Sequence, residues 1–148
     1  MITFLEFNQD KFTFKVATDR LYNAAGVWAK ADGDIIIIGV SDFFQQRNGD
    51  VAFAEVREIG TAVTQAAAFA NIETIKVDVE LPSPVSGVIA ATNDKLEMEP
   101  EFINSDPYGE GWLITVAAEN WAADESQLMS PAVYLEHIKA EIDMETRQ

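Results

Sequence analysis

The 148-residue chain contains no cysteine and a single histidine. Without thiols, disulfides, thiolate nucleophiles and cysteine-based metal centres are excluded, so any sulfur redox chemistry must come from a cofactor. One histidine cannot build a histidine-rich metal site, and His137 falls on the polar side of a helix expected near the C-terminus, where a surface role is expected. Basic residues are scarce: 10 Lys plus Arg stand against 25 Asp plus Glu, a net charge of -15. That balance repels phosphate backbones and anionic lipid, which argues against nucleic acid and membrane partners. No apolar run has the length of a bilayer span, and Met1-Ile2-Thr3-Phe4-Leu5-Glu6-Phe7 lacks the basic and apolar regions of a leader. A soluble, cytoplasmic protein is expected. Gly-x-Gly-x-x-Gly and phosphate-loop patterns are missing as well. The acidic run Glu97-Met98-Glu99-Pro100-Glu101 lacks the spacing and central glycine of a calcium loop and reads as a solvated helix start. No carboxylate pair among 25 acids can be singled out for acid-base catalysis.

With 48% hydrophobic residues, the chain can bury a core without staples, and one compact domain over residues 1–148 is expected. Ile35-Ile36-Ile37-Ile38, entered from Asp32-Gly33-Asp34, reads as a buried strand. Ser41 through Arg47 reads as a capped helical turn closed by Asn48-Gly49. Val51, Phe53 and Val56 mark the next strand, and Glu58-Ile59-Gly60-Thr61 the next turn. Short strands with closely spaced turns predict a mainly β fold, a small barrel or sandwich with helices at its periphery. Residues 49–63 and 86–98 share a layout of glycine turn, strand, turn and strand, which suggests a pair of related β-units. Pro100 through Asn104 predicts a short helix with Pro100 at its first position. Ser130-Pro131 predicts the start of a C-terminal helix over 130–142, with Leu135, Ile138 and Ile142 packing on the β-core and Asp143 to Gln148 frayed.

Lys76 stands apart. It is the only lysine between Asp32 and Asp94, and it lies between two short strand-like segments where a turn exposes it. A solvated surface lysine is the ordinary role for such a residue. Its surroundings are more specific than that: Glu73-Thr74-Ile75-Lys76 is followed by Ser83-Pro84-Val85-Ser86-Gly87. This pattern resembles the attachment site of lipoyl and biotinyl carrier domains. Further on, Asp106-Pro107-Tyr108-Gly109-Glu110-Gly111-Trp112 resembles the segment that follows the lipoyl hairpin in glycine cleavage system H proteins. Leu21-Tyr22, Gly26-Val27-Trp28-Ala29, Gly39-Val40-Ser41-Asp42-Phe43 and Gly49-Asp50-Val51-Ala52-Phe53 also match that family's run, so the resemblance covers about residues 20–122.

The resemblance implies a barrel-sandwich hybrid fold of the lipoyl/biotinyl-carrier type, with short peripheral helices and a C-terminal helix. It implies a lipoate cofactor, amide-linked to Lys76, with Glu73 recognised by the lipoylating enzyme, a ligase or transferase. The chain would then be a non-catalytic carrier that shuttles an aminomethyl group and electrons between the partner enzymes of glycine cleavage. Two departures concern partner choice: Gly26-Val27-Trp28 stands where H proteins usually carry His-x-Trp, and Val77-Asp78 replaces the small residue after the lysine. Ala118-Glu119-Asn120-Trp121-Ala122-Ala123-Asp124 resembles the lipoate-binding proteins of the heterodisulfide-reductase-like sulfur oxidation system, whose complex is the alternative partner. An unlipoylated H-like binding or regulatory module is a further alternative. A biotinyl carrier ranks last, because Ile75 and Val77 stand where methionines usually flank the biotinylated lysine.

Overall fold

Runs of β-branched and aromatic residues separated by turn residues set the architecture. The computed structural model describes residues 1–146. Strands β1 (Phe4–Gln9), β2 (Phe12–Ala17), β3 (Leu21–Tyr22), β4 (Val27–Asp32) and β5 (Ile35–Val40) lead to helix α1 (Asp42–Asn48). Next come β6 (Val51–Val56), β7 (Ala62–Val63), β8 (Ala68–Thr74), β9 (Asp78–Pro82) and β10 (Gly87–Thr92), then the short helices α2 (Lys95–Met98) and α3 (Phe102–Ser105). Finally, β11 (Ile114–Ala118), α4 (Trp121–Glu125) and α5 (Pro131–Thr146) follow.

The strands form a six-stranded sheet in the order β3-β4-β5-β11-β10-β7, a three-stranded sheet β6-β8-β9 and a separate hairpin β1-β2. All these pairings are antiparallel. An antiparallel sheet can bury one face and leave the other to water. Accordingly, Ile36 and Ile38 are fully buried while Ile35 and Ile37 are only half-buried, which corrects the expectation of a wholly buried run. Ile36, Ile38, Ile89, Ile114 and Val116 of the larger sheet meet Val51, Phe69, Ile72 and Leu81 of the smaller one in the main core.

A second core lies against the first hairpin and α5. It gathers Phe14, Val16, Tyr22, Trp28, Phe43, Tyr108, Tyr134, Ile138 and Ile142. Trp28 is paired across the strands with Gly39, where a Cβ would sit 2.5 Å from the indole, so only glycine admits the ring there. The indole N–H donates to the carbonyls of Val40 (2.9 Å) and Pro107 (3.1 Å), and the Arg20 guanidinium lies 4.4 Å over its face.

Several elements differ from expectation. The resemblance begins near residue 20, yet Phe4 through Ala17 form the β1-β2 hairpin, with Phe7 and Phe14 facing one another across it. The two β-units do not repeat: β6 belongs to the smaller sheet and β10 to the larger, and the second unit ends in helix α2, not a strand. Pro100 precedes α3 by two residues, because Glu101 occupies the cap position. Glu97 and Met98 end α2 instead of starting a helix. The terminal helix packs on the second core, through Tyr134, Ile138 and Ile142 with Leu135 at the margin. It also continues through Thr146, since Glu141 and Glu145 both pair with Arg47. Arg147 and Gln148, included in the expected fraying, lie outside the described residues.

Candidate functional site

Strands β8 and β9 pair in register through Glu73 and Asp78, and the chain reverses at Ile75-Lys76. Thr74 builds this tip. Its backbone N–H donates to the Val77 carbonyl (2.8 Å), while its hydroxyl oxygen accepts from the N–H groups of Lys76 (3.1 Å) and Val77 (3.0 Å). A threonine hydroxyl that captures two backbone donors replaces the ladder bonds a turn cannot make. Lys76 is exposed at the end of this turn, as its sequence context predicts.

The tip is braced from the side by the α1-β6 connection. Ile75 N–H donates to the Asp50 carbonyl (3.1 Å), and Lys76 Nζ donates to the Arg47 carbonyl (2.9 Å). Gly49 lies beneath the lysine stem at φ +88, and a Cβ there would stand 3.3 Å from Lys76 Cδ. Glycine thus serves twice, as the left-handed stop of α1 and as a cradle. Asn104 on α3 fixes the connection from behind: its amide donates to the Gly49 carbonyl (3.0 Å) and its oxygen accepts from Val51 N–H (2.9 Å).

Helix α5 holds α1 at both ends. Ser41 caps α1 by accepting from Phe44 N–H (3.1 Å), and its hydroxyl shares a 2.7 Å bond with that of Tyr134. Burial pushes the Tyr134 hydroxyl well above the usual phenol range, so it stays neutral there. At the other end Arg47 pairs with Glu141 (2.5 Å) and Glu145 (2.6 Å), and Glu141 also pairs with His137 (2.7 Å). His137 is therefore half-buried at a rim, not a free surface residue. Between the helices lies a cleft of about 370 Å³ lined by Ala24, Phe43, Phe44, Arg47, Val79, Tyr134 and His137, among others.

The outer surface of the tip combines apolar and acidic groups. Ile75 is 75% exposed, Phe53 48% and Val77 44%, values that mark side chains with no intramolecular reason to be there. Glu73 stands in register between Phe53 and Asp78 on the outer sheet face, and among the described residues its carboxylate makes no hydrogen bond or ion pair. Asp50 and Glu80 are exposed nearby in the chain. Among the described residues no cluster of metal-ligating side chains occurs, and no helix is long and apolar enough to cross a membrane. Lys76 and Glu73 thus lie on one tip, as their spacing suggested. Arg47, Gly49, Asn104 and Glu141 were not singled out: Asn48-Gly49 signals a helix stop, but nothing local tells what that stop faces.

A mainly β scaffold presenting one lysine on an exposed, braced hairpin tip defines a domain of the lipoyl-carrier type, the barrel-sandwich hybrid. The chain belongs to the glycine cleavage H-protein family, whose model matches residues 20–141. It is 38% identical over 127 residues to the glycine cleavage system H protein of Rubrobacter xylanophilus, covering 86% of this chain and 98% of that one. It is 42% identical over 107 residues to a probable glycine cleavage system H protein of Natronomonas pharaonis, covering 72% and 85%. The mitochondrial H protein of Oryza sativa is 38% identical over 129 residues, 86% of this chain and 78% of that one. Among solved structures, the H protein of Mycobacterium marinum superposes with a TM-score of 0.72 at 28% identity, covering 79% of this chain and 94% of that one. The β1-β2 hairpin precedes the matched segment.

Proposed function

We propose that this chain is the lipoyl carrier of a glycine cleavage system, with lipoate amide-linked to Lys76. The observation that carries this is the Lys76 tip: one lysine, exposed, at the end of a hairpin whose backbone is fixed on both sides. The names of the relatives support glycine cleavage as the system served. When bound, the lipoyl group supplies a cyclic disulfide that alternates with a dithiol and carries an aminomethyl group between partner enzymes. The residues present fit such an arm. Phe43, Phe44, Val79 and Tyr134 line a cleft beside Arg47 and Asn48 and offer an apolar wall to an aliphatic chain.

The protein's own part is presentation, not catalysis. A rigid hairpin tethers the arm to the scaffold and so raises its effective concentration at each docked partner. Exposed Ile75, Val77 and Phe53 give a partner an apolar contact, and the net charge of -15 steers the chain towards basic surfaces. Glu73, on the same tip and without a hydrogen bond or ion pair among the described residues, is read by the lipoyl ligase or transferase. The setting for this work is the cytoplasm.

Intact mass tests the proposal. The full chain produced with an active lipoylating enzyme and lipoate gains one lipoyl increment, and Lys76→Arg gains none. An unmodified wild-type chain under those conditions would overturn it. Glu73→Gln lowers the initial rate of modification while leaving the folded spectrum unchanged.

A further inference from the structure

Lys76 is exposed but not loose. Its Nζ is 2.9 Å from the carbonyl of Arg47 at the end of α1, and its stem lies over the one residue there that has no Cβ. The acceptor is itself held in place. The Arg47 guanidinium is fixed by Glu141 and Glu145 of α5, and the neighbouring Gly49 carbonyl by Asn104 of α3.

We propose that the Arg47 carbonyl and the notch at Gly49 form a charge-sensitive seat that holds the bare lysine and releases it once it is acylated. The physical basis is the change in the donor. An unmodified lysine brings an ammonium with three protons to a carbonyl at a helix C-terminus, where cations are favoured. Charge-assisted hydrogen bonds are about twice as strong as neutral ones. Acylation begins when the ammonium gives one proton to solvent; the neutral amine nitrogen then bonds to the carboxyl carbon of an activated acyl donor, the activating group leaves with the electrons of its bond, and the second proton passes to solvent. A neutral amide with one N–H remains. The seat thereby loses the charge that made it strong. A fixed target lysine before modification becomes a mobile root afterwards, as a carrier that visits several partners requires.

This inference rests on Lys76 being the site of acylation. Its test is side-chain dynamics in the full chain, with 13C at lysine Cε, measured in the unmodified and the lipoylated protein, together with proton contacts between Lys76 Hδ and Gly49 Hα. In the unmodified chain, Lys76 Cε is more ordered than Lys11 Cε and the Gly49 contact is present. In the lipoylated chain, the contact disappears and Lys76 Cε becomes as mobile as Lys11 Cε. Gly49→Ala abolishes the contact in the unmodified chain, with folding checked by the core amide signals of Ile36 and Val116. Should that variant not fold, Asn104→Ala, which frees the Gly49 carbonyl, weakens the contact in its place. An unmodified Lys76 as mobile as Lys11, or a lipoylated root still held at Gly49, would overturn the seat even though the mass showed a loaded carrier. A mass without any lipoyl group would overturn the carrier function and the release with it.

Discussion

Two hairpins of this protein end alike. In β1-β2, Gln9 pairs with Phe12 around Asp10-Lys11; in β8-β9, Thr74 and Val77 close around Ile75-Lys76. Each tip has two residues, and in each the second is an exposed lysine. Their settings differ entirely. The first hairpin is held by its body, with Phe14 and Val16 in the second core and the Lys15 carbonyl accepting from the Tyr108 hydroxyl (2.6 Å). Among the described residues, its Lys11 reaches only the ring of the adjacent Phe12, 5.8 Å from the centroid. The second hairpin is held at its tip, by the carbonyls of Asp50 and Arg47 and the hydroxyl of Thr74. A turn lysine is held in place when other parts of the chain fix the turn, not because of the turn alone.

The largest expected effect separates the two lysines outright: Lys11→Arg keeps the full lipoyl mass increment and Lys76→Arg loses all of it. Next is the body of the first hairpin. Phe14→Ala removes a buried ring, costs about 3 kcal/mol in urea unfolding, and leaves modification of Lys76 intact. Alkaline pH acts on the same hairpin. Burial pushes the Tyr108 hydroxyl from 10.0 up to about 12, so the folded state keeps a proton that the unfolded state loses. The associated stability is complete below pH 10 and is lost as pH rises through 12, at about 1.4 kcal/mol per unit for this tyrosine. Hydrogen exchange over that window rises first in β1-β2, whose Lys15 carbonyl loses its donor, and later in β8-β9. At the second tip, Thr74→Val deletes the acceptor for two N–H groups and costs about 1 kcal/mol, read as faster exchange of the Lys76 and Val77 amides. Ile75→Ala is the smallest, within about 0.5 kcal/mol, since the side chain stands in water. A loss larger than that of Phe14→Ala would mean that Ile75 is covered in solution.

Much of the second hairpin was legible in the sequence and almost none of the first. Around Lys76, turn chemistry, β-branched flanks and the Ser83-Pro84-Val85-Ser86-Gly87 run coincide between Glu73 and Gly87. Local rules apply there and agree with one another. The same rules located α1, where Ser41 and Gly49 occupy the expected cap positions. Phe4, Phe7, Phe12 and Phe14 carry no equally clear message. Their spacing does not follow one strict alternation across Asp10-Lys11, and Asp10 supplies the left-handed turn without glycine, at φ 56. What decides that segment is burial against α1 and α5, elements lying roughly thirty and more than a hundred residues further on.

By itself, then, the sequence determined the mainly β character, the cap-to-cap extent of α1, the family and the lysine that heads the second hairpin. Each of these is written in residue types a few positions apart, or in a run of motifs whose order survives without a structure. Only the tertiary structure decided that the end of α1 receives Nζ of Lys76, that Gly49 makes room for its stem, and that Glu141 and Glu145 fix Arg47 from a helix more than ninety residues away. Those are contacts between segments whose sequences contain no term for one another. They arise because packing two sheets and a terminal helix into close contact leaves a cleft whose lining includes Arg47, the residue whose carbonyl receives Lys76 Nζ.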